Sequence, residues 1–369
     1  MKTFDHLAIY LSERCNLACT YCYIEKNYRT TLDLPRLRKA VDFFSDNAGP
    51  NRTFTFLGGE PLLTYPLLLK SIDYILRSCR RDKAAAHLFL FTNGTLLTPS
   101  VVEELRRRHV RTIISLDGQG PSNDLSRRFA GKTNRSVFEE VIRRLRRLPA
   151  RLRKDIEINM VVSPHTCASL VDNIKFFYRE GIDCILPTIL AHGRWPPDKL
   201  RLLETKLWEL AEFYVCLFRD GKRPLRIHYI QDLMNGCPQM ASCRRLTLGA
   251  DGKFYFCDAF AGAPAHKRAD YDMARRGDIP GWIATCKKKA EAELKKIAPP
   301  TWFRLHKKNF ALFCPFGTFH HAKVNGHDPK PFMKDFFRLS EMYSCVFWWI
   351  KEKLRDDERF IKMYTTPLH

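Results

Sequence analysis

No stretch of this sequence approaches the roughly 20 apolar residues that a membrane span requires. The N-terminus, MKTFDHLAIYLSERC, lacks both the long apolar core and the cleavage site of a signal peptide. There is no internal repeat and no low-complexity tract. These absences argue against a membrane-spanning, secreted or fibrous protein and lead us to expect a soluble, cytoplasmic one. The composition, 45% hydrophobic and 28% charged, is ordinary for a globular chain and argues against wholesale disorder. A length of 369 residues suits one large α/β unit, or a large domain with a smaller one.

Acidic residues are also scarce, with 40 Asp and Glu against 62 Lys and Arg, a formal net charge of +22. Much of the excess lies in runs such as RRLRRLPARLRK (143–154), RSCRRDK (77–83) and CKKKAEAELKK (286–296). Such runs are either solvated helix faces or a surface that attracts an acidic partner. Charge alone does not distinguish nucleic acid from an acidic peptide or protein.

Cysteine is plentiful, at 13 residues. In a reducing compartment, metal ligation or reactive chemistry explains such usage better than a disulfide framework. Cys79, Cys167, Cys184 and Cys216 sit in apolar, helix- or strand-like contexts and read as small buried hydrophobes. The informative groups are Cys15, Cys19 and Cys22, and then Cys237, Cys243 and Cys257, with Cys286, Cys314 and Cys345 following singly.

Strand-like runs at 6–11, 53–59, 87–94, 111–118, 155–162 and 184–190 alternate with helical patterns through the first half of the chain. Six strands with intervening helices predict an α/β protein with a parallel sheet of βαβ units, ligands binding at the C-terminal strand tips. After residue 195 a helical segment (198–221) leads to a cysteine-bearing region. There RRLTLGADGKFYFC (244–257) reads as a hairpin turning at GADGK, and 345–364 reads as a closing amphipathic helix.

The spacing C-x3-C-x2-C follows the first strand. Zinc with a remote fourth ligand is one reading and an iron–sulfur cluster is the other. The signature C-x3-C-x-aromatic-C, met by Cys15, Cys19, Tyr21 and Cys22, resembles that of the radical S-adenosylmethionine (SAM) superfamily. The family's other segments follow in its order: Gly58-Gly59-Glu60-Pro61 after the second strand, FTNG with Asn93 after the third, and SLDG with Ser115 and Asp117 after the fourth. The resemblance covers about residues 4–190 and implies a partial (β/α)6 TIM-like barrel. It implies a 4Fe–4S cluster on the three cysteines, whose open iron binds SAM. By the same resemblance the GGE segment holds the methionine ammonium, while Asn93, Ser115 and Asp117 frame the ribose and methionine. Tyr21 would neighbour the adenine, and Arg127 or Arg128 would reach the carboxylate. Cleavage of SAM would yield a 5′-deoxyadenosyl radical, with a flavodoxin- or ferredoxin-like electron donor.

Cys237, Cys243 and Cys257 are spaced C-x5-C-x13-C, with Gly252 five residues before Cys257. This resembles the SPASM/twitch extension of radical SAM enzymes that modify peptides and proteins, and implies an auxiliary 4Fe–4S cluster. Cys314 is the chosen fourth ligand, with Cys286 and Cys345 as rivals and a structural zinc as the other metal. The dense cysteine run of a full SPASM domain, near 300–330, is missing. The expected organisation is a barrel over 1–195, a helical linker over 196–236, the auxiliary-cluster domain over 237–345 and a C-terminal helix over 346–369.

In anaerobic sulfatase-maturing enzymes, which the chain resembles in length and layout, an aspartate after the equivalent cysteine is the catalytic base. Asp258 holds that place here, although it can equally be a turn residue. Leu57, where those enzymes carry a glutamine, and the missing second cluster both leave the substrate open. The resemblance implies a maturase acting on a ribosomally made precursor peptide or protein, by cross-linking or oxidation, with formylglycine formation as the alternative. With the first strand so near residue 1, we expect no N-terminal peptide-recognition domain. A nucleic-acid-binding protein with a structural metal is the reading from another class, and the GGEP and cysteine motifs together argue against it. His320, His321 and His327 are closely spaced and read as incidental surface histidines.

Overall fold

A computed structural model of the chain describes residues 4–24, 30–131, 133–191, 193–230, 244–268 and 325–365, with residues 288, 292, 296, 297, 319, 322 and 323. Cys237, Cys243, Cys286, Cys314, His320 and His321 lie outside the described residues. The chain forms two compact units, each drawn from separate stretches of sequence. The first comprises Met1–Ile114, Ser126–Asp155 and Arg244–Ala292; the second comprises Ser115–Leu125, Ile156–Cys243 and Glu293–His369.

In the first unit the strands β1 (Phe4–Tyr10), β2 (Ala48–Leu57), β3 (Ala85–Thr92) and β4 (Val110–Ser115) pair in parallel in that order. Their apolar runs are buried by helices α1 (Leu34–Asn47), α2 (Tyr65–Arg81), α3 (Pro99–Arg107) and α4 (Val137–Arg147), as a covered parallel sheet requires. Local chemistry sets the helix starts. Asp33, Thr98 and Ser136 accept the N–H groups of Arg36, Val101 and Glu139 at 2.7, 3.2 and 3.0 Å. Prolines in the first turns of α1 and α3 need no hydrogen bond there.

β8 (Arg245–Leu248) and β9 (Phe254–Tyr255) form the expected hairpin, with Gly252 at φ +78° in its turn. β8 also pairs in parallel with β1, from His6–Arg245 to Ile9–Leu248. That pairing joins residues about 240 positions apart and places the hairpin beside the strand that feeds the cysteine loop.

The second unit pairs β5 (Ile156–Val162), β6 (Cys184–Ile189) and β7 (Arg226–Ile227) in parallel. Its longer helices among the described residues are α5 (Leu170–Arg179), α6 (Pro197–Arg219), α7 (Pro329–Lys353) and α8 (Glu358–Thr365). The single closing helix expected over 345–364 is two helices. α7 begins at Asp328, whose carboxylate caps Lys330, and stops at Lys353. Asp357 then accepts the N–H groups of Arg359 and Phe360 and starts α8.

The arginine runs of the first unit are largely solvated helix faces. Arg143 and Arg144 pair with Glu140, Arg151 with Glu103 and Arg106 with Asp155, while α4 buries Val141, Ile142 and Leu145.

Candidate active site

The cysteine loop is held from two sides. From the turn after β2, the N–H groups of Gly59 and Glu60 donate to the carbonyls of Ser12 and Arg14 at 2.8 and 2.7 Å. From the segment after residue 125, Ala18 donates to the Arg128 carbonyl at 2.7 Å and Thr20 to the Ser126 carbonyl at 2.9 Å, while Ala130 donates to that of Asn16 at 2.9 Å. The loop is therefore a strap tied down by backbone hydrogen bonds on both sides.

The two glycines are required by this approach. Gly58 has φ +129°, and a Cβ there would stand 2.5 Å from the Ser12 carbonyl oxygen. A Cβ on Gly59 would stand 2.0 Å from the Arg14 carbonyl oxygen. The GG pair thus lets β2 lie directly against the residue that precedes Cys15.

Around the sulfurs, the Leu17 N–H reaches Cys15 Sγ at 3.3 Å and Asn93 Nδ2 reaches it at 3.9 Å. Arg127 Nη1 lies 4.0 Å from Cys19 Sγ, and its guanidinium stands over the Tyr21 ring, 5.4 Å from the centroid. Cys15 and Cys19 are half-buried and Cys22 is exposed. Cys15 and Cys19 thus have a donor or a cation beside sulfur. Three cysteine sulfurs on one strap, backed by a glycine turn with no side chain, fit a cluster held by three protein ligands with an open coordination position. Of the two arginines left open by the sequence, Arg127 is 6% exposed beside the loop, whereas Arg128 is exposed and contributes its carbonyl.

Glu60 has a different setting from the one the motif implied. It is 1% exposed and its carboxylate accepts three hydrogen bonds, from Thr92 Oγ1 at 2.7 Å, the Asn93 N–H at 2.7 Å and the Leu62 N–H at 3.0 Å. It ties the β2 turn to the tip of β3. Asn93 continues the tie: Nδ2 donates to Asn16 Oδ1 at 2.8 Å, and Oδ1 accepts from Thr95 Oγ1 at 2.7 Å. Asn16 and Thr95 had no signal in the sequence beyond adjacency to motif residues.

Burial raises the Glu60 pKa above the ordinary carboxyl value, against the lowering effect of its three donors. A carboxyl with a raised folded-state pKa opposes folding only when ionised. Its penalty is absent at acidic pH and grows as pH rises through the ordinary carboxyl range. Glu60→Gln, which places an amide N–H₂ among donors, should cost about 1–3 kcal/mol. Its deficit in thermal midpoint relative to wild type should narrow as pH rises from acid to neutral. A deficit that widens over that range would contradict the raised carboxyl.

Asp258 is the first residue of a helical turn (Asp258–Ala261) that follows Cys257. Its carboxylate meets Arg245 Nη2 at 2.6 Å and accepts from Thr247 Oγ1 at 2.8 Å, both on β8. Gly262, at the end of that turn, packs against Tyr23, where an added Cβ would stand 2.6 Å from the ring. Tyr23 in turn shares a 2.8 Å hydrogen bond with the buried Tyr10. The Asp258 segment therefore abuts the residue after Cys22. A buried ion pair missed by the sequence reading, Glu13 with Arg268, binds the same segment to the start of the cysteine loop.

Ser115 ends β4 and is half-buried. Asp117, described within the second unit, is 1% exposed. Its Oδ1 accepts the Val161 N–H at 3.0 Å, and its own N–H donates to Asn123 Oδ1 at 3.0 Å. Cys345 lies exposed on α7, and His327 stacks on Phe332.

Residues 9–177 match the family model of the radical SAM superfamily. A cysteine-type anaerobic sulfatase-maturating enzyme of Clostridium novyi is 25% identical over 283 residues, 70% of this chain and 75% of that protein. Among solved structures, anSMEcpe with bound AdoMet and the Kp18Cys peptide aligns with a TM-score of 0.63 at 18% identity, over 97% of this chain and 98% of that one. Streptococcus suis SuiB bound to the precursor peptide SuiA aligns with a TM-score of 0.50 at 17% identity, over 76% and 67%. These likenesses establish the fold as the parallel α/β, partial-barrel type that the sequence led us to expect. The chain carries a radical SAM domain, and the 4Fe–4S cluster and SAM of that family are its cofactors.

Proposed function

We propose that this radical SAM enzyme modifies a side chain of a ribosomally made peptide or protein, by cross-linking or oxidation. The observation that carries the reading is the placement of Asp258, oriented by Arg245 and Thr247, on a segment packed against the loop that holds Cys22. Cys15, Cys19 and Cys22 would hold the cluster, which with SAM supplies a 5′-deoxyadenosyl radical able to abstract a substrate hydrogen atom. Gly58 and Gly59 hold the β2 turn against the strap, and Glu60 and Asn93 fix its position. Arg127 holds positive charge beside Cys19. Tyr21, beneath Arg127, offers a flat face for the adenine, and Ser115, which ends β4, and Asp117, two residues on, are the residues we assign to the ribose and methionine.

In this reading Asp258 accepts the proton that the substrate side chain releases as its radical is oxidised. Cys257, with Cys237, Cys243 and Cys314, would hold an auxiliary cluster able to take up the electron, and a flavodoxin- or ferredoxin-like protein would be the electron donor. The excess of basic residues suits an acidic leader or substrate segment.

Asp258→Asn should leave SAM cleavage within about twofold and lower modified peptide by about 10²-fold or more. Both are read in one anaerobic assay as 5′-deoxyadenosine and as peptide mass. Modified peptide at the wild-type rate would remove Asp258 from the chemistry.

The 25% identity to a cysteine-type sulfatase-maturating enzyme favours formylglycine formation as a second reading. A short cysteine-containing sulfatase peptide should then lose mass when incubated with the reduced enzyme and SAM. No mass loss would leave the precursor-peptide reading.

A further inference from the structure

Among the described residues, one trio of His, Cys, Asp or Glu side chains brings its ligand atoms mutually within 4.8 Å: Glu157, Cys184 and His228. In the sequence Cys184 reads as a buried packing residue, and Glu157 and His228 belong to no motif. We propose that this trio is a second metal site, taking a single divalent ion of the zinc type. It lies in the second unit, is built from none of the radical-site residues, and is independent of the proposed substrate.

The site arises from strand register. Cys184 opens β6 and pairs with Arg226 at the start of β7, and Glu157 lies one step before the Ile158–Ile185 pair. Glu157 and Cys184 therefore sit side by side at the N-terminal edge of the sheet, on strands whose side chains share a face when paired. His228 opens the helical turn after β7 and returns its ring to that edge. This is the opposite end of β5 from Val161, whose N–H holds Asp117. The ligands come from three separate segments, each fixed by the sheet, so the donor set is organised before any ion arrives.

The chemistry of the donors is specific. A thiolate, an imidazole nitrogen and a carboxylate form the mixed N, S and O set that suits a borderline-soft ion, and three protein ligands leave a fourth position for water. Glu157 Oε2 lies 3.6 Å from Cys184 Sγ. Two ligands bonded tetrahedrally to zinc at about 2.0 and 2.3 Å stand about 3.5 Å apart, so this pair is already at the required separation. His228 Nε2 and Glu157 Oε2 are hydrogen-bonded at 2.6 Å and must open by less than about 1 Å to admit the ion.

Binding would release the thiol proton and the proton shared by His228 and Glu157. Thiolate, carboxylate and a divalent ion sum to a neutral centre, which limits repulsion from Arg226. That residue also directs Nη2 to the Met363 carbonyl at 2.7 Å. Glu157 is 5% exposed, whereas Cys184 and His228 are half-buried, so water can reach the ion from one side. Nearby, Tyr364 hydrogen-bonds Tyr214 at 2.7 Å and accepts the Ile227 N–H at 3.0 Å, which ties α8 to the strand that carries the site.

The test uses the anaerobically reconstituted full chain, dialysed against a zinc buffer and analysed for zinc and iron together. Wild type should retain one zinc ion that Cys184→Ser and His228→Gln each lose, with iron unchanged in both variants as the control for folding. The zinc absorption edge should report one sulfur and otherwise nitrogen or oxygen neighbours. Added zinc should raise the thermal midpoint of wild type and not of either variant. Zinc retained equally by all three proteins, an all-sulfur zinc shell or no retained zinc would each overturn the site. The trio would then be a hydrogen-bonded group only. Activity enters none of these readouts, so failure of the substrate reading leaves them untouched.

Discussion

Alanine at Cys15, Cys19 or Cys22 should each reduce 5′-deoxyadenosine formation by at least about 10³-fold, because the cluster carries the bond-breaking step and no other group replaces a lost thiolate. The iron content of each variant should fall by the complement of one cluster, with any auxiliary cluster keeping its own. Secondary structure should survive. The strap is held by the backbone bonds of Gly59, Glu60, Ala18 and Thr20, and the cysteine side chains are not part of that framework. Wild-type cleavage in any one of the three would show that the sulfur concerned is not a ligand.

Gly59→Ala should have the largest effect of any one-carbon change near the site. Its Cβ would meet the Arg14 carbonyl oxygen at 2.0 Å and carbon at 2.4 Å. Both atoms are backbone, so no rotamer change relieves the contact and the strap itself must move. A cost of at least about 3 kcal/mol follows. The strap's displacement from β2 should lower cluster loading and the thermal midpoint together. Gly49→Ala, at the start of β2, is the control: a Cβ there meets nothing within 4 Å, and the change should fall within about 0.5 kcal/mol. Equal behaviour of the two variants would mean that the close approach of β2 to the loop is not what positions the cysteines.

Six strands were legible in sequence because a parallel sheet covered by helices writes each strand as a short apolar run ending in small or polar residues. Helix starts were legible through Asp33, Thr98 and Ser136, where a side chain caps its own local backbone. The β8–β9 hairpin was legible through its turn, but its parallel pairing to β1 was not. Hairpins are specified locally, whereas a pairing across 240 positions leaves no local pattern. The break between α7 and α8 was missed because the apolar spacing continues across it while Asp357 restarts the backbone ladder.

The site divides along the same line. By itself the sequence determined the chemistry: three cysteines at fixed spacing after a strand, a GGEP turn, and the family to which that order belongs. Such motifs are legible because contiguous residues build a loop whose ligands need no distant partner. Only the tertiary structure decided that Glu60 is a buried clamp, and that Arg127 lies beside the sulfurs while Arg128 faces solvent. The same holds for Asp258, which rests between Arg245 and Thr247. It alone assembled Glu157, Cys184 and His228. In each case the deciding neighbour comes from another strand or segment, and strand register, which one-dimensional patterning does not encode, sets which side chains meet.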